Sequence, residues 1–275
     1  PDDAARCLSA ALASHPDHPE ALRLVAGIFS LRRQHVQAIT AMQRALAQRP
    51  DDALYHNPLG GVLADAGEFD AAIAALRQAC ALQPNLAAAW YNLGIVLVRC
   101  VRYGEAGTAL HRAVALDPHH AAARAQLADA LKVAGQIDAA VAEYRRVLVQ
   151  QHWAGMAWWG LANIKTVAFA AADVDALHAA MRDPRASDDD RIAMGFALAR
   201  ALDDQGRYAD SLAALAQANA IARRRRKWDV GAFDALVAGL RDGFESVDGA
   251  DDSALGNGAI FVVGVPRSGT TLVEQ

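Results

Sequence analysis

Lysine is nearly missing from this chain. Among 275 residues only Lys132, Lys165 and Lys227 carry an ammonium, so arginine supplies almost all positive charge. The formal net charge is −4, which argues against a generally basic nucleic-acid binder. Aromatic residues make up 6% of the chain although hydrophobic residues reach 53%; alanine fills the difference and favours closely packed helices. Cysteine is scarce too: Cys7, Cys80 and Cys100 show no C-x-x-C spacing, and reduced thiols in a cytoplasmic protein are the expectation. No apolar run approaches the ~18 residues of a membrane-spanning helix. The chain opens on Pro1 rather than Met and stops inside a motif, so a fragment is expected, and a targeting segment ahead of Pro1 is not observable.

What is present is a ruler. Pro16, Pro50, Pro84 and Pro118 lie 34 residues apart, and the next step lands on His152. With each repeat started three residues after its proline, other positions fall into line. The fourth holds Leu22, His56, Trp90 and Arg124; the seventh and eighth hold Val25-Ala26, Leu59-Gly60, Leu93-Gly94 and Leu127-Ala128; the eleventh holds Phe29, Leu63, Leu97 and Leu131. The twentieth is Ala38, Ala72, Ala106 and Ala140, and the twenty-seventh Ala45, Ala79, Ala113 and Val147. Such a period predicts a helix–turn–helix unit. Small residues at positions 8 and 20 let two helices approach, large ones at 4, 7, 11 and 24 fill the groove, and proline at 32 ends the second helix. Gly67 and Gly135 fall near the intra-unit turn, where a positive φ is often needed. Each unit leaves an apolar face open, so neighbours must stack.

The pattern closely resembles the tetratricopeptide repeat, and WYNLG at 90–94 is among its most typical strings. The resemblance covers four units from Pro19 to about Ala154, with a partial helix before them. It implies a mainly α protein, an α-solenoid whose groove binds a peptide or protein. Beyond Ala154 the period weakens: WWGLA at 158–162 reads as another first helix, Asp173 to Met181 as a second. DPRASDDD at 183–190 reads as a polar break capping the next helix. A final pair runs from Ile192, with Gly206 in its turn and Leu202, Leu212 and Leu215 as core. The array is placed at 1–224.

Several features read as bland. His15, His18, His119, His120 and His152 recur in inter-repeat turns and read as solvated turn residues rather than metal ligands. RRRRKW at 223–228 reads as a helix C-terminus whose cations suit the helix dipole. Trp158 and Trp159 read as one core and one surface residue. In the groove, Tyr91, Asn92, Gln126, Asp129 and Asn163 are placed at or near the ligand-facing side, with Asn57 one place out of step beside Pro58.

The last fifty residues differ. Val230, Phe233, Leu236, Val237 and Leu240 recur at helical spacing, and SVDGADDSALGNG follows as a linker, so 225–257 is read as helix and linker. AIFVVGV then reads as a buried parallel strand, and Gly264 to Thr271, GVPRSGTT, as a glycine-rich loop opening a helix. Such a loop offers backbone N–H groups and a helix dipole to an anion. Thr270 stands where a nucleotide triphosphatase carries lysine, and the cation lies earlier, at Arg267, which serves a Mg²⁺-bound triphosphate poorly. FVVGVPRSGTTLVEQ is similar to the 5′-phosphosulfate-binding loop of sulfotransferases, whose common core is P-[KR]-S-G-T-T. It is closer still to bacterial proteins that fuse tetratricopeptide repeats to such a domain. The resemblance implies that 258–275 begins an α/β sulfotransferase domain using 3′-phosphoadenylyl sulfate (PAPS) and no metal. Arg267 would contact the 5′-phosphosulfate and stabilise the leaving phosphate. Ser268, Thr270 and Thr271 would donate hydroxyl hydrogen bonds, and Gly269 would let the backbone close on the anion. The sulfonate acceptor would be a hydroxyl or amine, polypeptides included, positioned by the array; the array could alternatively mediate self-association, or serve as a scaffold without catalysis. The general base and the 3′-phosphate site are expected beyond Gln275, leaving the fragment itself inactive.

Overall fold

The computed structural model describes residues 2–225 and 229–245, and every regular element among them is a helix. The strand and loop expected at 258–275, with Arg267, Ser268, Gly269, Thr270 and Thr271, lie outside the described residues.

The period of 34 sets the helix boundaries. After α1 (Asp2–Ser14), first helices begin at positions 19, 53, 87 and 121: α2 (Pro19–Leu31), α4 (Ala53–Ala66), α6 (Ala87–Arg99) and α8 (Ala121–Val133). Second helices begin at 35, 69, 103 and 137: α3 (His35–Gln48), α5 (Phe69–Leu82), α7 (Tyr103–Leu116) and α9 (Ile137–Gln150). The alanines at position 20 are fully buried, and position 27 is at most 2% exposed. Position 8 is small because position 24 is large: a Cβ on Gly60 or Gly94 would lie 2.4 or 2.5 Å from the Cγ of Leu76 or Leu110. Ala26 with Met42 and Ala128 with Tyr144 occupy the same two positions of their units, all four buried.

Every intra-unit turn closes alike. The amide of position 16 donates to the carbonyl of position 11 in Gln34–Phe29, Glu68–Leu63, Arg102–Leu97 and Gln136–Leu131, each at 2.9 Å. This wide loop needs a left-handed residue at position 15. Gly67 and Gly135 meet the need at φ 86° and 76°; Arg33 and Val101 meet it without being glycine, at 57° and 62°.

The period predicts a space-filler at position 4, but its chemistry is specific. His56 Nε2 lies 2.7 Å from the carbonyl oxygen of Pro50, Trp90 Nε1 donates to that of Pro84 at 3.0 Å, Arg124 Nη2 to that of Pro118 at 2.8 Å, and Trp158 Nε1 to that of His152 at 2.8 Å. Three dissimilar residue types at four positions share one property, a ring or guanidinium nitrogen that reaches the carbonyl of position 32 of the preceding unit. Arg124 is also buried against Glu143, which takes Arg146 as a second partner.

The period survives in the starts of α10 (Gly155–Ala162) and α11 (Ala171–Arg182), yet the hairpin does not. α10 lasts eight residues and packs on α9 and on α12 (Asp188–Asp204), while α11 also packs on α12. Ser187 caps α12 with Asp190 in a reciprocal box, as the polar break predicted. Asp190 Oδ1 also accepts from the Gly155 amide at 3.0 Å, and a Cβ on Gly155 would meet the Asp190 backbone at 2.5 Å. The final pair is α12 with α13 (Tyr208–Arg225), joined through Gly206 at φ 72°. Leu202 is core, but Leu212 is not: it is 67% exposed. Ser211, Ala214 and Ala218 turn inward instead, because the two helices cross tightly at Gly195, where a Cβ would lie 2.8 Å from that of Ala218. Ser211 Oγ donates to the Ala199 carbonyl at 2.8 Å.

Two compact units divide the chain, Pro1–Arg226 and Lys227–Gln275. In the second, α14 (Val230–Glu245) carries Val230, Phe233, Leu236, Val237 and Leu240 at the expected spacing, all exposed.

Candidate peptide-binding face

Within the first unit, successive first helices pack on one another, α2 on α4, α4 on α6, α6 on α8 and α8 on α10. No two of the second helices α3, α5, α7 and α9 approach as closely. The ribbon therefore curves with the first helices inside, and their outward-turned positions form one continuous face.

That face mixes apolar and polar groups. Leu54 and Met156, both at position 2, are exposed, as is Leu24 at position 6. Between them Asn92 Nδ2 donates to Asn57 Oδ1 at 2.9 Å across two units. Asn57, out of step by one residue in the alignment, is thus in step in space, and Asn92 is engaged by a neighbour within the protein. Pro58 beside it has no N–H, so the carbonyl of Leu54 loses its usual intrahelical donor on this face. Tyr91 and Gln126 are half-buried, and the Tyr91 ring lies 4.7 Å from that of His120.

Asp129 serves the scaffold: its Oδ1 accepts from the Tyr144 hydroxyl at 2.6 Å and from Lys132 Nζ at 2.8 Å. Burial, aided by Asp129, pushes the Tyr144 hydroxyl far above the usual phenol range, so it stays a donor. Asn163 turns back to the Trp159 carbonyl at 3.0 Å and is exposed. Trp158 is core, and Trp159 is half-buried with its ring 5.8 Å from that of Phe196.

Three of the five turn histidines have structural work. His18 and His120 accept the Ala21 and Ala123 amides as helix caps, at 3.3 and 3.1 Å. His152 lies 2.9 Å from Asp183, which also pairs with Arg185; Arg185 in turn covers the Trp153 ring at 3.6 Å. The Arg185 guanidinium, then the Arg185 backbone amide, hold the Asp183 carboxyl well below the usual range. Among the described residues no three His, Cys, Asp or Glu side chains converge, and no helix is long and apolar enough to cross a membrane.

Family comparisons agree with the period. A tetratricopeptide repeat family matches residues 1–53, a TPR repeat family 60–99, and another tetratricopeptide repeat family 102–152. No curated protein matches the chain. Among solved structures, YrrB, described as a TPR protein with an unusual peptide-binding site, is 19% identical, with a TM-score of 0.51 over 75% of this chain and 96% of that one. Pseudomonas aeruginosa PilF is 18% identical, with a TM-score of 0.54 over 83% and 86%. MamA from Desulfovibrio magneticus RS-1, residue 41 to its end, is 15% identical, with a TM-score of 0.50 over 76% and 97%. At such identities these likenesses speak for the fold alone. With repeat families, helix boundaries and turn geometry all on one period, residues 1–152 are built of tetratricopeptide repeats.

Proposed function

We propose that the array is a protein-interaction scaffold whose inner face, from α2 to α10, binds an extended segment of a partner protein. The observation that carries this reading is the continuity of that face. Apolar side chains stand exposed on it at Leu24, Leu54 and Met156, with amide groups of Asn57 and Asn92 between them. Repeat arrays use such surfaces for extended peptides, and YrrB, of similar fold, is described as having a peptide-binding site. The test is to pan a random-peptide library on the chain and titrate enriched peptides against Leu54→Arg and Met156→Glu. Both sites are exposed, so the fold should hold. Binding weakened by either substitution supports the face; peptides indifferent to both would sink it.

A second reading rests on one sequence observation, GVPRSGTT at 264–271. In it the scaffold presents its partner to a sulfotransferase drawing on 3′-phosphoadenylyl sulfate, and Arg267, Ser268, Gly269, Thr270 and Thr271 hold the 5′-phosphosulfate. The donor set suits that group: one guanidinium, three hydroxyls and loop amides can satisfy a phosphosulfate without a metal. Calorimetric titration of the protein with 3′-phosphoadenosine 5′-phosphate tests it. Arg267→Ala should abolish binding, and an unchanged affinity refutes the role of the loop.

A further inference from the structure

The outer side of the array carries a second feature that the inner face does not explain. Two hollows flank α7. One, of about 400 Å³, lies between α5 and α7 and is floored by Trp90, Leu93 and Leu97 of α6. The other, of about 350 Å³, lies beside α7 and is floored by Leu127, Ala130 and Leu131 of α8. Thr108 borders both, so only the width of one helix separates them.

That helix is unusually bare. Gly107 occupies position 21, where the other second helices carry Ile39, Ile73 and Val141, and Gly104 lies one turn before it. Neither glycine has a positive φ, and a Cβ on either would meet nothing within 4 Å. Contrast Gly60 and Gly94, which a packed leucine requires to be bare. A helix-interior glycine costs roughly 1 kcal/mol relative to alanine, and neither turn geometry nor close packing offsets it here. What the two glycines produce is space.

Charge in the hollows is balanced. Arg77 and Glu105, the only fixed charges lining them, pair with each other at 2.6 Å, Glu105 also taking Arg102 from outside the lining, and the remaining polar rim is Tyr103, Thr108, His111 and Gln136.

We propose that the outer side at α7 is a second peptide-binding site. An extended, uncharged segment of a partner protein crosses α7 at Gly104, Gly107 and Thr108 and seats one large apolar side chain in each hollow. Paired charge and apolar floors select against acidic or basic anchors, and the hydroxyl, imidazole and amide groups of the rim suit a peptide backbone.

The test pans a random-peptide library on the full chain and measures enriched peptides by fluorescence anisotropy against three variants. Gly107→Ile restores the side chain other units carry and fills one hollow; Thr108→Glu places a charge between the two should the first variant fold poorly; Leu54→Arg marks the inner face. Peptides with two large apolar residues should bind Gly107→Ile or Thr108→Glu at least about tenfold more weakly, as for loss of a buried anchor, and Leu54→Arg unchanged. If no enriched peptide carries such a pair, or if binding to Gly107→Ile and Thr108→Glu equals wild type, the outer site is refuted. Peptides lost only by Leu54→Arg would support the inner face while overturning this one.

Discussion

Val101→Gly should stabilise this protein although it removes a side chain. Val101 sits at φ 62°, in the left-handed region, at a turn whose hydrogen bonds match those of the other units. An L-residue there suffers a clash between its Cβ and backbone of about 1–2 kcal/mol, and a β-branched one belongs at the upper end. Glycine relieves the clash but frees the unfolded chain, which returns about 0.5–1 kcal/mol. Val101 is 68% exposed, so little burial is lost. The net gain is about 1 kcal/mol, worth roughly 2–4 °C in Tm for a cooperative unit of this size. Urea unfolding followed by circular dichroism measures it, and a raised midpoint with unchanged slope marks a true stability change. Arg33→Gly at φ 57° should move in the same direction by less, and Gly135→Val in the opposite direction. An unchanged or lower midpoint for Val101→Gly, with Gly135→Val harmless, would refute a left-handed requirement at position 15.

Other outcomes follow from the packing. Gly94→Ala should destabilise by about 1–3 kcal/mol because its Cβ would press on Leu110; Leu110→Ala, costly by itself because the side chain is fully buried, should cost less in the Gly94→Ala background than in wild type, as a double-mutant cycle in urea would read. Arg124→Ala should cost about 3 kcal/mol or more, since it leaves the carboxylate of Glu143 buried with one partner fewer and the Pro118 carbonyl with Gln150 as its remaining side-chain donor. Burial pushes the Cys80 thiol up to about 11, so a thiol reagent at pH 8 should label exposed Cys7 first and Cys80 only on unfolding. The Asp183 carboxyl is depressed by Arg185, so its stabilisation is present above the ordinary carboxylate pKa of about 3.9 and fades as pH falls through its lower folded value. Melts of wild type and Asp183→Asn should therefore differ near neutrality and converge only in strong acid.

The repeat was legible because its signal is redundant: proline, alanine and leucine positions all report one period, and that period fixed helix starts to the residue. Position 4 was illegible for the opposite reason. Leucine, histidine, tryptophan and arginine share no hydropathy, and only the geometry of a carbonyl six residues earlier shows what the last three have in common. Leu212 was misplaced because hydrophobicity is a poor guide where helices cross at small residues. There the inward face belongs to Ser211, Ala214 and Ala218, and leucine is turned out. The fifth unit misled in a subtler way. Its helices begin on the period, but Asp190 reaches back to the Gly155 amide and draws α12 against α10. A contact 35 residues away in sequence leaves no trace in local periodicity.

The recurring bond from position 4 to position 32 also bears on how the proposed inner face would hold a peptide. Each bond ties α4, α6, α8 or α10 to the turn that precedes it, so the entry into those first helices is held by a polar contact as well as by apolar packing. Arg77 with Glu105 and Arg145 with Asp173 join second helices of adjacent units, α5 to α7 and α9 to α11, but those pairs are partly exposed and screened by solvent. The inner layer is thus the more firmly spaced of the two, and the outer layer has more freedom to open. An inner face of fixed spacing favours a ligand that matches its register. Crevices between outer helices tolerate side chains of varied shape, and they widen where glycine replaces isoleucine. In the proposed two-site reading, the two surfaces of one repeat differ in selectivity for a physical reason. Binding at the outer hollows should be the more permissive to exchange among leucine, methionine and phenylalanine in the peptide, a contrast that the same panned libraries measure directly.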